Sequence, residues 1–316
     1  VRQLPENLTA RRYFLKHRTS YFYSDAVTMC HERGFLSPRE TPSQRVVAHG
    51  AGILPEPLLH TEHVDRFGNL SHYFEIHYPH TQFEVVKEAV IDVAWPEVDV
   101  DLLDTWSLAS ATRAIAGNPA LRLDRAVYGL PSRHVTAPPR LASYSDTILD
   151  PDLGFGQAIS ELTRGIRRDF AYRPGATSVR TTVDELLDLR AGVCQDFAHL
   201  GIAVLRSLGI PARYVSGYIE TIAPPGKEKL EGSDASHAWI SVLAPNGSWI
   251  DIDPTNGKFA DSRYLVTAWG RDFADVSPLR GIVVTEAVTS RLDVGVDVVQ
   301  MDGDRLPRMQ TLDLEL

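Results

Sequence analysis

Three residues of this sequence could do covalent chemistry together: Cys194, His237 and Asp253. Cys194 opens a run in which apolar residues recur at Phe197, Leu200, Gly201, Val204, Leu205 and Leu208, the spacing of one helical face. Ala198, Ile202 and Ala203 widen that face almost all round, so the helix is expected to be central and buried. Gly209 can take the left-handed conformation just past it, Ile210 can fold back on the last turn, and Pro211 cannot continue it. The spacing therefore predicts a helix from about Cys194 to Leu208. A thiol in its first turn sits where unpaired N–H groups and the positive end of the helix dipole favour the thiolate, the form that attacks carbonyls.

A lone cysteine in an apolar helix is more often a packed core residue, and Cys30 keeps that reading. What singles out Cys194 is its partners. His237 opens the run His-Ala-Trp-Ile-Ser-Val-Leu243 and Asp253 closes Trp249-Ile-Asp-Ile-Asp253, with Pro245-Asn246-Gly247 between. Two strands joined by a three-residue loop of this composition form a hairpin, with Pro presetting a type I turn and Gly taking the left-handed bulge position. If Ala244 pairs with Ser248, Trp239 faces Asp253 and His237 faces Thr255, so Asp253 is diagonal to His237 on one face. Asp251 is then one step further along, opposite Ser241. A two-residue loop would turn both aspartates away, so the choice of Asp253 over Asp251 depends on that turn.

A cysteine at a helix N-terminus, a histidine on a strand and a carboxylate on the next strand make a thiol version of the nucleophile, base and orienter triad. His237 would hold the thiolate as an ion pair and later protonate the leaving amine. Asp253 would fix the imidazole tautomer, and Trp239, on the His237 face, would wall the cleft against water. Asp196 reads as a dipole partner of the Cys194 helix, and His199 as packed rather than catalytic.

The segments Gly-Val-Cys194-Gln-Asp-Phe-Ala-His, Leu-Gly-Ile-Pro-Ala-Arg-Tyr-Val-Ser-Gly-Tyr218, Ser-His237-Ala-Trp and Trp-Ile-Asp-Ile-Asp253-Pro-Thr-Asn256 resemble the bacterial transglutaminase-like cysteine protease family. Phe170-Ala-Tyr-Arg-Pro-Gly-Ala-Thr177 and Gly270-Arg-Asp-Phe-Ala-Asp-Val-Ser-Pro278 are similar to the same family, and Tyr21 to Val93 to its β-rich N-terminal region. The resemblance implies an α+β fold: a papain-like, transglutaminase-like catalytic core preceded by an all-β, sandwich-like domain. By the same pattern Cys194, His237 and Asp253 are catalytic, and Arg271 and Asp272 either line the substrate cleft or form a structural salt bridge. Papain-type enzymes place a glutamine six residues before the cysteine as an oxyanion donor. Asp188 stands at that position here, which leaves Tyr172 as the candidate. Relatives are often encoded beside peptide ligases, a functional link that resemblance alone supplies.

The elements that must position this set fit a chain of 316 residues, comfortable for two domains, with 43% hydrophobic and 23% charged residues. The expected divisions are a β-rich domain over 1–95, a proline-broken, acidic connector with helical pieces over 96–150, and the catalytic domain over 151–316. Ile159, Leu162, Ile166 and Phe170 predict a helix from Gly156 to Phe170. Thr182 and Glu185 form a capping box for the next, reaching about Leu189, and Gly192 is expected to provide a sharp turn into Cys194. Arg213 to Glu220 reads as a strand, and Ala223 to Asp234 as a loop that could gate the site.

A net charge of -9 with no basic run argues against nucleic acid or an anionic membrane as partner. Two cysteines make no disulfide framework. No apolar run approaches the roughly 20 residues needed to span a bilayer, and a cytoplasmic location is expected. His60, His63, His72, His77 and His80 crowd one region, but strand alternation sends His72 and His77 to opposite faces, so surface histidines are expected there rather than a metal site. No cofactor or metal is expected. The partner is a peptide or protein substrate, and three functions remain open: hydrolysis of a peptide, isopeptide or side-chain amide; transfer of the acyl group to an amine; and a binding scaffold without chemistry. The intact triad argues against the last.

Overall fold

In the computed structural model the described residues are 10–221, 235–301, 303, 307 and 309. The first half of the fold is β1 (Arg11–Gly34), β2 (Gln44–Leu54), β3 (Leu59–Val64), β4 (Leu70–Ile76) and β5 (His80–Val93). β1 is 24 residues long and is shared: residues 11–22 pair with β5, and residues 30–34 pair with β4. Alternation, interrupted by an irregularity between Val27 and Met29, sets which side chains it buries. Tyr13 and Leu15 enter one apolar cluster, and Val27 and Cys30 another. The sheet order β2-β5-β1-β4-β3 curls into a half-barrel, so that Ile53 of β2 and Phe74 of β4 meet in the same core.

The segment expected to be a connector is a helical layer: α1 (Val100–Leu103), α2 (Leu108–Gly117), α3 (Arg122–Tyr128) and α4 (Pro139–Ile148). Leu103, Leu108, Ala111, Ile115, Leu141 and Tyr144 join the largest apolar core, the one that surrounds the cysteine helix. The prolines divide the apolar residues among helices too short for a clear period, which hides the shared face from a periodicity argument.

Next come α5 (Phe155–Asp169), β6 (Ala171–Tyr172), α6 (Val183–Leu189), β7 (Ala191–Gly192) and α7 (Cys194–Ser207). α5 and α6 fall where the sequence predicts them. The capping box on α6 is complete, with the Thr182 N–H donating to Glu185 at 2.7 Å and the Glu185 N–H donating to Thr182 at 3.2 Å. α7 is buried from Asp196 to Arg206. Residues such as Phe197, Leu200 and Ile202 contribute about 1.5–3 kcal/mol each by leaving water. Gly209 takes φ 77 just past the end, and the Ile210 N–H reaches back to the Leu205 carbonyl at 2.9 Å.

α7 packs on a five-stranded sheet of β8 (Ala212–Ile219), β9 (Ala235–Leu243), β10 (Trp249–Asp253), β11 (Lys258–Phe259) and β12 (Tyr264–Gly270), in the order β11-β10-β9-β8-β12. After the short α8 (Phe273–Val276), β13 (Leu279–Thr285) and β14 (Ser290–Met301) return to pair with β1. The last strands of the stretch expected as the catalytic domain, 151–316, thus complete the N-terminal sheet. The two halves are also joined by buried hydrogen bonds. His17 Nδ1 lies 2.6 Å from the Tyr218 hydroxyl, and the Gln44 side chain bridges the N–H and carbonyl of Val266 at 2.8 and 2.7 Å.

Candidate active site

The hairpin register sets the site. Ala244 and Gly247 close the turn, with Ala244 N–H to Ser248 at 2.8 Å and Gly247 N–H to Ala244 at 2.9 Å, and Gly247 takes φ 85. Ser241 then pairs with Asp251 and Ile240 with Ile252. That register leaves Asp253 diagonal to His237, and the His237 Nε2 donates to Asp253 Oδ2 at 2.7 Å. Asp251, one step further along, accepts instead from Trp239 Nε1 at 2.8 Å. The two aspartates thus have separate tasks, one on the histidine and one on the tryptophan behind it.

Asp253 is fully buried and richly bonded. Its Oδ2 also accepts from the Tyr264 hydroxyl at 2.7 Å and from Asn256 Nδ2 at 2.6 Å, while Oδ1 accepts the Thr255 N–H at 2.8 Å and the Asn256 N–H at 3.2 Å. Burial alone would raise its pKa, but the bonds to His237, Asn256 and Tyr264 and the charge of His237 hold it below the ordinary carboxylate value. Tyr264 and Asn256 were missed as parts of the site. Asn256 had a signal, since Asp-Pro-Thr-Asn suits an aspartate that bonds the backbone beyond it. Tyr264 had none, because only the sheet brings it there.

His237 is bonded to Asp253 and feels Cys194 as well. With Nε2 committed to Asp253, Nδ1 is the nitrogen that serves the thiol. Burial by itself would push the imidazole pKa down. The hydrogen bonds and charges of Asp253 and Cys194 outweigh it and hold the pKa up at about 10. Cys194 is partly accessible and unbridged, and Cys30 is unbridged but buried. Burial, then Glu32 beside it, pushes the Cys30 thiol up to about 12.

The approach to Cys194 differs from the expectation. The left-handed residue is Arg190, φ 50, and Gly192 is extended in β7. What Gly192 provides is room: a Cβ there would stand 2.7 Å from Asp196 Oδ2 and 2.9 Å from Leu186 Cδ1. Asp196 needs that room, because its Oδ2 accepts the Val193 N–H at 2.8 Å and the Thr177 hydroxyl at 2.6 Å, tying the strand before the nucleophile to the first turn of α7.

Of the cleft candidates, Tyr172 lies in β6 beside Gly192, 54% exposed, with its ring edge on Phe197. Burial, then the charge of Cys194, raises its pKa. Trp239 is fully buried, its ring stacked at 6.2 Å on His237. It backs the imidazole rather than lining the cleft. Arg271 and Asp272 are held by partners of their own. Arg271 pairs with Asp275 at 2.8 and 2.9 Å, and buried Asp272 caps α8 at Ala274 and accepts the His134 N–H at 2.9 Å. His199 is buried and accepts the Phe273 N–H at 3.2 Å, in line with a packing role. Asp188 is exposed and ion-paired with Arg140. The loop from Ala223 to Asp234 lies outside the described residues.

A cavity of about 610 Å³ is lined by Trp95, Arg213, Trp249, Asp251 and Trp269 but by no triad residue. Its nearest link to the site is Asp251, which holds Trp239 against His237. Reacting geometry is a stronger guide to chemistry than cavity size, so Cys194 and its partners, rather than this cavity, make the candidate site. No described helix is long and apolar enough to cross a membrane.

Residues 142–254, which contain all three triad positions, match the Transglutaminase-like superfamily, and residues 13–92 match the Bacterial transglutaminase-like N-terminal region. An uncharacterized protein of Mycobacterium tuberculosis is 41% identical over 303 residues, 93% of this chain and 95% of its own length. A protein-glutamine gamma-glutamyltransferase of Pseudomonas aeruginosa is 38% identical over 135 residues, 38% of this chain and 19% of its own. A crystal structure from Cytophaga hutchinsonii, described as a candidate cysteine protease, shares the fold with a TM-score of 0.74 at 22% identity, over 95% of this chain and 93% of its own.

Proposed function

Because this chain belongs to the transglutaminase-like superfamily, we propose that it is a thiol amidase, hydrolysing a peptide, isopeptide or side-chain amide through Cys194, His237 and Asp253. The observation that carries this is His237 held by the buried Asp253 at 2.7 Å, with Cys194 at the first turn of α7 near enough to add to the rise of its pKa. The Cys194 thiolate adds to the amide carbonyl. The imidazolium gives its proton to the leaving amine as the C–N bond breaks, and a thioester remains on Cys194. His237 then takes a proton from water, whose oxygen adds to the thioester carbonyl, and the C–S bond breaks to release the acid and restore the thiolate beside the imidazolium.

The developing oxyanion would be met by the Cys194 N–H, which lies in the first turn where no intrahelical carbonyl is available, and by the Tyr172 hydroxyl at the cleft edge. Asp253 keeps the proton on Nε2, so that Nδ1 faces the thiol. The preference for water over an amine rests on the absence of any feature in the sequence that marks an acidic amine-binding tunnel.

A second reading is transamidation, in which an amine takes the place of water at the same thioester. It is favoured by the 38% identity to the Pseudomonas aeruginosa gamma-glutamyltransferase over 135 residues. Incubation with a mixed peptide library, with and without a primary amine, separates the two by mass. Chain scission or a gain of water with loss of ammonia supports hydrolysis, and amine incorporation with loss of ammonia supports transfer. No product with the wild type, under conditions where the thiol is reduced, would contradict both.

A further inference from the structure

Away from the triad, β3 and β4 bring a different set of groups together. Glu62 lies directly opposite His72 in the ladder, and His60 is two residues along β3, on the Glu62 face. His72 Nδ1 stands 3.2 Å from His60 Nε2 and 3.2 Å from Glu62 Oε1. Protons satisfy these contacts only one at a time. A hydrogen on Nδ1 serves the acceptor-only carboxylate, whereas the lone pair on Nδ1 serves an N–H from His60. A cation between the three atoms satisfies both.

The spacing also fits. Ligands about 2.0–2.1 Å from a tetrahedral centre stand about 3.3 Å from each other. We propose that His60, Glu62 and His72 bind a divalent transition metal of the zinc class, through two imidazole nitrogens and one carboxylate, with water in the fourth position.

Two further features suit such a site. His72 Nε2 lies 2.5 Å from the hydroxyl of buried Ser37, the kind of outer contact that fixes a ligand ring and its tautomer. β3 is the edge of its sheet and exposed throughout, which gives an ion an entry path. Bound metal would pin this edge strand to β4. The Lys87 ammonium acts on His72 and opposes a cation, and the Glu62 carboxylate offsets it. Lys87 Nζ is itself directed to His49 Nδ1 at 3.0 Å.

The sequence argument against a metal considered His72 with His77. The structure sends His77 to another cluster, with Glu75 and His31. There the two histidines contact opposite oxygens of one carboxylate, and Tyr73 already donates to Glu75 Oε1 at 2.5 Å. Hydrogen bonds account for that second set.

Zinc would also be drawn to the active-site thiol, so the test uses the full chain carrying Cys194→Ala, freed of metal with EDTA and titrated with zinc chloride by calorimetry. The expected result is one equivalent bound. His60→Gln, at an exposed position, should weaken it by more than about a hundredfold, since loss of an outer partner alone costs about 10–100-fold. Glu62→Gln should weaken it too, and His77→Gln should leave it unchanged. Circular dichroism establishes that each variant is folded. Absence of binding in the parent, equal affinity in His60→Gln, or loss on His77→Gln would overturn the proposal.

Discussion

Replacing Asp253 by Asn tests the hairpin argument at one atom. Oδ1 of Asp253 accepts two backbone N–H groups, and Oδ2 accepts from His237, Tyr264 and Asn256. An asparagine has one carbonyl to offer. Held by the backbone donors, it turns its NH2 toward His237 Nε2, which must then accept a hydrogen bond and carry its proton on Nδ1. The imidazole is left neutral and in the wrong tautomer for the thiol. Asp253 and Cys194 together hold the His237 pKa up at about 10, so loss of the contacting Asp253 charge should bring it down by about 1–3. The same substitution in the serine triad lowers kcat by about 10⁴, and a loss of about 10³–10⁴ is expected here.

Asp251→Asn is the control. Its carbonyl can still accept from Trp239, so the loss should stay below about tenfold, the scale of one neutral hydrogen bond at about 0.5–1.5 kcal/mol. Nitrogen-15 NMR of the His237 ring follows the tautomer and pKa directly, and turnover of a peptide hit from the library follows the rate. An unchanged His237 titration in Asp253→Asn, or a larger loss in Asp251→Asn, would refute the register argument.

Other consequences follow from the same geometry. The folded-state pKa of His237 lies above its unfolded value, so its contribution to stability is complete below about pH 6.5 and is lost as pH rises toward about 10. kcat/KM should accordingly fall on the alkaline side near 10, and a fall near 6.5 would contradict the ion pair. Gly192→Ala places a Cβ 2.7 Å from Asp196 Oδ2. It should cost about 1–3 kcal/mol of stability in urea unfolding and slow Cys194 alkylation, and an unchanged midpoint would show that the β7 approach is loose. Tyr172→Phe, at an exposed edge, should leave the melting temperature in place and lower kcat by about 10²–10³ if its hydroxyl meets the oxyanion. A change in KM alone would make it a binding contact instead.

The site was legible where local rules govern it. Turn chemistry fixed the hairpin register to the residue, because Pro245-Asn246-Gly247 leaves little choice of loop, and helix punctuation fixed the ends of α7. The parts that escaped depend on long-range pairing. Nothing near Ser290–Met301 in the sequence announces a strand that must return to β1, and nothing near Tyr264 announces contact with Asp253. The packing of the connector was hidden because its apolar residues are spread over four short helices and become one face only when packed. His72 was judged against its own strand, whereas its neighbours come from β3 across the ladder.

The most direct test of the central claim is alkylation with iodoacetamide at pH 6, mapped by peptide mass. Cys194, paired with a protonated His237, is predicted to be carboxamidomethylated at pH 6, and Cys30, buried and with its thiol pushed up to about 12, to stay unmodified. His237→Ala should slow Cys194 to the rate of an ordinary thiol. Equal rates for the two cysteines, or a Cys194 rate indifferent to His237, would contradict the account.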